Sequence, residues 1–167
     1  MIYRAPTTED ALTQGDILDD CPILEWEVIP SPDVHSSGVI VRVRAVVLTQ
    51  ACDLAESNAT SVVVAVVHDV QTLVQQGILK AALIRDQVRR HRVYGWYFLP
   101  SAEVIRESLV DLRYLHTVPR VVLDRLVGEG KRVTSICTPY REHLAQHFAT
   151  TYSRIGLPVP YETQADS

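Results

Sequence analysis

Five polar side chains follow two valine-rich runs of the sequence and have the chemistry that a catalytic or binding site needs. They are Gln50, Cys52, Asp53, His68 and Asp69. The first three follow residues 39–48, and the other two follow residues 61–67. Side chains at the end of a buried strand are held by a rigid scaffold and still reach solvent. The sequence therefore predicts one polar cleft at the ends of these two strands.

His68 and Cys52 are the side chains best able to take part in a reaction. A histidine near pH 7 can accept a proton, and a carboxylate such as Asp69 can orient its ring. A cysteine becomes a nucleophile when a cation or a helix N-terminus lowers the pKa of its thiol, whereas a neighbouring carboxylate such as Asp53 raises that pKa. The alternative is structural: Cys52 is a small buried apolar residue, and His68 lies on the surface at a turn.

The connection between the two runs bears directly on this cleft. Residues 54–60 form a link of seven residues, which is short enough for an antiparallel hairpin. A simple hairpin carries His68 to the end of the strand pair opposite Cys52. The predicted cleft therefore requires a crossover, or a chain that folds back after the first strand.

A basic segment near the middle of the chain contrasts with the net charge of −4. Aromatic residues at 94–98 follow its four arginines, which are Arg85, Arg89, Arg90 and Arg92. Arginines that contact phosphates beside rings that stack on bases are typical of proteins that bind single-stranded nucleic acid. The alternative is that the arginines complete a helix end and the rings turn into the core. We predict that the four arginines form an exposed basic patch.

The six histidines are dispersed and do not indicate a metal site. His143 and His147 are four residues apart and share a helix face. The glutamate that accompanies such a pair in zinc enzymes is absent. We therefore expect a solvated helix face, no metal and no cofactor.

The pattern of apolar residues predicts an α/β fold of the α+β type. Strands are predicted near 15–18 and at 39–48, 61–67, 93–99 and 108–118. Helices are predicted over 70–90, with a weak point at Gly77, over 121–127 and from Pro139 onward. The predicted core residues are Val46, Val47, Leu48, Val64, Val66, Leu144 and Phe148. A small curved sheet or a partly open SH3-like barrel, with an inserted helix and a C-terminal helix, fits this order best.

Length and composition indicate one globular domain. The chain has 167 residues, of which 47% are hydrophobic and 22% are charged. No apolar run approaches the ~20 residues that span a bilayer, and residues 1–20 lack the apolar segment of a secretion signal. Three scattered cysteines favour reduced thiols in the cytoplasm. We expect a domain over 1–160, a flexible tail over 161–167 and no contact with a membrane.

Three segments resemble the PemK/MazF-like toxin superfamily. Residues 14–18 are similar to the Gly-Asp strand that opens that family's fold, residues 44–48 to its second strand, and residues 108–118 to its late strand. The family consists of small barrels with C-terminal helices, and its members often cut single-stranded RNA. Two positions depart from the family pattern: Ala45 replaces a proline, and His68 stands where a threonine or serine is usual.

The resemblance implies a cytoplasmic bacterial protein that acts on RNA, with an antitoxin-like protein partner and a homodimeric state. If the chain is an enzyme, it is a ribonuclease in which a 2′-hydroxyl attacks the adjacent phosphate. His68 is then the base, Asp69 orients it, and Arg44 stabilises the phosphoryl oxygens. An inactive relative fits equally well. Two other classes stay open: a binding module with a pocket around residues 50–53, and a thiol enzyme that uses Cys52.

Overall fold

Seven strands in the described part of the chain form one antiparallel sheet. The computed structural model describes residues 1–27, 37–56 and 59–153. The strands are β1 (Tyr3–Arg4), β2 (Asp16–Glu27), β3 (Ser37–Val47), β4 (Ser61–Asp69), β5 (Trp96–Leu99), β6 (Ser108–Pro119) and β7 (Arg132–Ile136). They lie side by side in the order β1-β7-β2-β3-β4-β6-β5, so the sheet is open at β1 and β5. The predicted tail over 161–167 lies outside the described residues.

Helices connect the strands and cover the sheet. They are α1 (Ala51–Ala55), α2 (Val70–Gln75), α3 (Ala81–Asp86), a 3₁₀ turn (Val88–Arg90), α4 (Arg120–Gly128) and α5 (Tyr140–Tyr152). None of these described helices has the length and apolar character needed to cross a membrane. The protein therefore has the predicted α+β fold, a small curved sheet with helices. The predicted inserted helix is divided in two, because Gly77 adopts a left-handed φ of 71° after α2.

Both faces of the central strands are buried, which explains their continuous runs of valine. On one face Val46 packs in a cluster with Leu144 of α5, and we call this the α5 face. On the other face Val47 packs in a cluster with Leu123 of α4, and we call this the α4 face. Helices α2 and α3 cover the end of the α4 face near β5 and β6 through a third apolar cluster.

The predicted core is buried except at one position. The buried residues are Val46, Val47, Leu48, Val64, Val66 and Leu144. Phe148 is only partly buried beside the α5-face cluster, which corrects its assignment to the core. The reason is the orientation of α5, which buries Leu144 and His147. The predicted stripe is therefore rotated toward solvent, and Tyr140 and Tyr152 at its two ends are exposed.

Two β-bulges bend the sheet and redirect side chains. In β2, residues 19 and 20 together lie opposite Arg44 of β3. In β6, residues 112–114 have no partner in β4, because the pairing moves from Asp111 directly to Leu115. A regular alternation of faces therefore does not hold through the middle of β6.

A buried ion pair joins the first residues of β2 and β7. The Asp16 and Arg132 side chains are 0% and 3% exposed, and Oδ2 of Asp16 lies 2.8 Å from Nη1 of Arg132. The guanidinium also donates hydrogen bonds to the backbone carbonyl oxygens of Thr7, Asp10 and Ala11. One side chain therefore ties the N-terminal loop to two strands.

Removing this cation should destabilise the fold. Arg132→Met leaves the Asp16 carboxylate buried without its partner, which should lower the free energy of unfolding by about 3–5 kcal/mol. Urea denaturation measures this change. Lys131→Met is the matched control, because the Lys131–Asp20 pair has side chains 42% and 46% exposed and should contribute at most ~1 kcal/mol. Equal losses of unfolding free energy in the two variants would show that burial does not strengthen the Asp16–Arg132 pair.

Candidate functional site

The predicted cleft between Cys52 and His68 does not form. β3 and β4 are an antiparallel hairpin in which Val47 lies opposite Val64. Helix α1, which contains Cys52, follows β3 at the hairpin end, whereas His68 lies near the other end of β4. The strand advances about 13 Å between Val64 and His68 alone. This separation exceeds the reach of a hydrogen bond, so the two side chains do not cooperate directly.

The three residues predicted as catalytic are divided between the two faces of the sheet. His68 follows Val64 by four positions in a regular strand and lies on the α4 face. Arg44 and Asp69 lie on the α5 face, where both line a cavity of about 510 Å³. There Arg44 makes a bidentate ion pair with Asp19, at 2.6 and 2.9 Å. The structure thus brings Arg44 and Asp69 together and separates both from His68.

His68 lies in a cleft on the α4 face where the sheet bends. The cleft has a volume of about 530 Å³. Its lining includes Trp26, Val43, His68, Asp111, Tyr114 and His116. These residues come from β2, β3, β4 and β6, although β2 and β6 are not hydrogen-bonded neighbours. The curvature of the sheet therefore creates the cleft.

Arg113 supplies positive charge beside His68. Its guanidinium makes a bidentate ion pair with Asp111, at 2.9 and 2.7 Å, and lies 4.2 Å from the ring centre of Trp96. The His68 ring meets the same Trp96 edge-on, with 6.1 Å between ring centres. The backbone N–H of Arg113 also donates to the Asp111 carboxylate, at 3.0 Å. The bulge in β6 thus holds a carboxylate and a guanidinium in fixed positions next to the histidine.

The environment of His68 keeps its ring uncharged at pH 7. Burial is the main cause that lowers the pKa of His68, the nearby Asp111 carboxylate opposes this shift, and the positive charge of Arg113 adds to it. An uncharged imidazole can accept a proton from a hydroxyl group. A base beside a cation is suited to reactions at phosphate, because the cation stabilises negative charge on the phosphoryl oxygens.

Two large aromatic side chains are exposed at the cleft. Trp26 is 64% exposed and Tyr114 is 65% exposed. Exposed rings at the edge of a cleft are typical of binding sites, because burial on a ligand supplies much of the binding free energy. No motif in the sequence indicates either residue. Trp26 lies near the tip of the β2–β3 hairpin, and Tyr114 lies in the β6 bulge.

One arginine of the predicted basic patch, Arg89, lies close to the same cleft. The four arginines of the patch, Arg85, Arg89, Arg90 and Arg92, are all exposed. The Arg89 guanidinium is 5.7 Å from the ring centre of Phe98. Phe98 lies opposite Leu109 of β6, which in turn lies opposite His68 of β4. Two strand spacings, about 10 Å, therefore separate Phe98 from His68.

Gln50, Cys52 and Asp53 lie on or next to α1, and the Cys52 thiol contacts the side chains of the other two. The Cys52 side chain is exposed, so its alternative interpretation as a buried apolar residue is wrong. Its sulfur lies 3.6 Å from Oε1 of Gln50 and 3.7 Å from Oδ1 of Asp53. Both neighbours are oxygen atoms, and neither supplies the positive charge that lowers a thiol pKa.

Neither a metal centre nor a related protein identifies the chemistry of the cleft. Within residues 1–27, 37–56 and 59–153, no three histidine, cysteine, aspartate or glutamate side chains are grouped so as to hold a metal ion. No protein-family model matches the sequence, and comparison with curated proteins finds no significant match. The geometry of the cleft therefore carries the functional interpretation.

Histidine burial should make stability depend on pH. Burial lowers the pKa of His68, His91 and His147 in the folded protein, whereas the unfolded chain protonates histidines near pH ~6.5. The unfolded state therefore binds more protons below that pH, and the free energy of unfolding should fall as the pH decreases from about 6.5 toward about 4.

Urea denaturation at about pH 7 and about pH 5 measures this fall. His68→Asn should reduce it, because the variant removes one of the titrating groups. Val121→Ala, a substitution of an exposed residue on α4, should leave it unchanged. A free energy of unfolding that stays constant or rises on acidification would contradict the burial of these rings.

Proposed function

We propose that the chain binds single-stranded RNA in the His68 cleft and that His68 cleaves it with the help of Arg113. One observation carries this proposal: His68 and a fixed arginine, Arg113, both contact Trp96, and His68 lines a cleft with two exposed aromatic rings. The resemblance of three sequence segments to PemK/MazF-like toxins supports the same class of substrate. The Cys52 thiol enzyme and the pocket around residues 50–53 have no comparable geometry in their favour.

RNA binding depends first on the rings of Trp26 and Tyr114. Every base has a flat face, so stacking on aromatic side chains tolerates any sequence and contributes ~1–3 kcal/mol per base. Phosphates then meet Arg113 and Arg89, which both lie beside the cleft. Because the net charge of the protein is −4, a polyanion is attracted only where basic residues cluster.

Cleavage follows when a 2′-hydroxyl lies next to His68. The imidazole accepts the proton of this hydroxyl while its oxygen forms a bond to phosphorus. Arg113 stabilises the negative charge that develops on the phosphoryl oxygens. The bond between phosphorus and the 5′-oxygen then breaks, and the leaving oxygen takes a proton from water. The products are a 2′,3′-cyclic phosphate and a 5′-hydroxyl end.

Two roles predicted from the sequence change, and one of them passes to a new residue. Arg44 is predicted to stabilise charge and Asp69 to orient the base, but both side chains lie on the opposite face of the sheet from His68. Asp69 instead caps α2, because its Oδ1 accepts a hydrogen bond from the backbone N–H of Thr72. We assign charge stabilisation to Arg113, which Asp111 holds in position.

Loss of the exposed rings should weaken RNA binding. Trp26→Ala and Tyr114→Ala each remove one stacking surface, and each should raise the Kd for a fluorescent single-stranded RNA about tenfold. Both side chains are mostly exposed, so the fold should be retained. Fluorescence anisotropy measures the Kd, and Val121→Ala, which removes an equally exposed apolar side chain from α4, is the control.

Salt provides a second measurement of the same binding. Each phosphate contact releases counterions, so affinity should fall steeply between about 50 mM and about 200 mM salt. RNA affinity that is indifferent to salt, or that is unchanged in both aromatic variants, would exclude the cleft as the binding site.

Loss of the base should abolish cleavage and preserve binding. A positioned general base accelerates a reaction ~10²–10⁴-fold, so His68→Asn should lower the single-turnover cleavage rate by that factor with little change in Kd. Since the pKa of His68 is lowered, the wild-type rate should rise with pH, reach half its maximum below pH ~6.5 and then level off. Wild-type rates in His68→Asn would show that another group is the base.

A further inference from the structure

A second cavity lies on the α5 face and shares no lining residue with the His68 cleft. Its volume is about 500 Å³, within the range of small-molecule pockets. Its lining includes Leu99 and Ile136 and the rings of His91, Tyr97, Tyr140 and His143. No aspartate, glutamate, lysine or arginine occurs among the described lining residues. The cavity is therefore apolar, with several flat aromatic surfaces.

Three histidines from two distant parts of the chain surround Tyr97 at this cavity. The ring centre of His91 lies 4.8 Å from that of Tyr97 and 4.5 Å from that of His143. His147 lies behind them, 5.6 Å from both His91 and Tyr97. The Tyr97 hydroxyl is 3.1 Å from Nδ1 of His143. Polar ring atoms thus converge at one end of an otherwise apolar pocket.

Two features of this cluster are costly for stability. Nδ1 of His91 and Nε2 of His147 are buried without a hydrogen-bond partner, and the whole of His147 is only 7% exposed. His91 also has a left-handed φ of 53°. Buried unpaired nitrogens and strained backbone persist where neighbouring structure enforces them, and they concentrate at ligand sites. The cluster therefore has the features of a ligand site, although its two unpaired nitrogens are themselves buried.

Burial lowers the pKa of His91 and of His147, so these two rings are uncharged at neutral pH. Burial and the neighbouring His143 and His147 lower the pKa of His91 to about 4. A charged ligand would lose its water in this cavity and find no opposite charge there. An uncharged ligand loses much less, and a flat one can stack on the rings that form the wall.

We propose that this cavity binds an uncharged, planar heteroaromatic molecule of about the size of a nucleobase. Its faces stack on the rings of Tyr97, His91 and Tyr140. Its polar edge exchanges hydrogen bonds with the His143 imidazole and the Tyr97 hydroxyl. This site is independent of the RNA cleft and does not rest on the function proposed for it.

The test uses the full chain with isotope-labelled histidines and adenine as the probe. Adenine should shift the NMR signals of His91, His143 and His147. Tyr140→Ala, which removes a stacking ring, should raise the Kd for adenine about tenfold. Tyr114→Ala, in the cleft on the other face, should leave this Kd unchanged while it weakens RNA binding.

Three further probes separate the chemical classes. Benzoate is flat but anionic, and cyclohexanecarboxamide is uncharged but not flat, so each should bind at least about tenfold more weakly than adenine. Equal binding of either probe would overturn the proposed ligand class. The proposal would be overturned if the NMR signals of the three histidines did not respond to adenine. It would also be overturned if they responded only to Zn²⁺. His143→Ala, a substitution of an exposed residue, should weaken adenine binding and provides a second variant that keeps the fold.

Discussion

The buried ion pair between Asp16 and Arg132 is the interaction on which the rest of this structure depends. It fixes the start of β2 against the start of β7. The same guanidinium also holds the N-terminal loop, because it donates hydrogen bonds to three of its carbonyl oxygens. β2 then pairs with β3 along nearly its whole length and carries Trp26 to the cleft. A charge pair at one end of the strand therefore sets the position of a binding residue at the other end.

The strands that the sequence predicts correctly are those whose burial is visible in their composition. β3 and β4 are valine-rich because both of their faces are covered, and the long β6 is apolar where it crosses the core. The sequence does not predict β7, because Arg132, Thr134 and Ser135 make this strand polar. Those residues are buried nonetheless, since Asp16 and the carbonyl oxygen of Arg4 satisfy their polar groups. No local pattern reveals partners more than a hundred residues away.

The candidate site is harder to predict than the fold for two physical reasons. Adjacent residues of a strand point to opposite faces, so His68 and Asp69 are neighbours in sequence but belong to different sites. The bulge in β6 shifts the register of the strand, so Tyr114 lies on the same side as Arg113, its neighbour in sequence, which no regular alternation indicates. The histidine cluster has the same origin, because a turn beside β5 and one helix supply rings that meet only after folding.

The three residues of β6 that have no partner in β4 also affect how the sequence of this protein can vary. Leu112 points into the core of the α5 face, while Arg113 and Tyr114 lie on the α4 face. The excursion lies outside the ladder with β4, and the backbone N–H of Leu112 donates to the carbonyl oxygen of Gly95 on the other side, so side-chain substitutions at its two outward positions leave the pairing of the sheet intact. The cleft can therefore diversify in specificity while the folding of the domain stays conserved, much as a variable loop does on a constant framework. In this protein the adaptable segment is built into the middle of a strand.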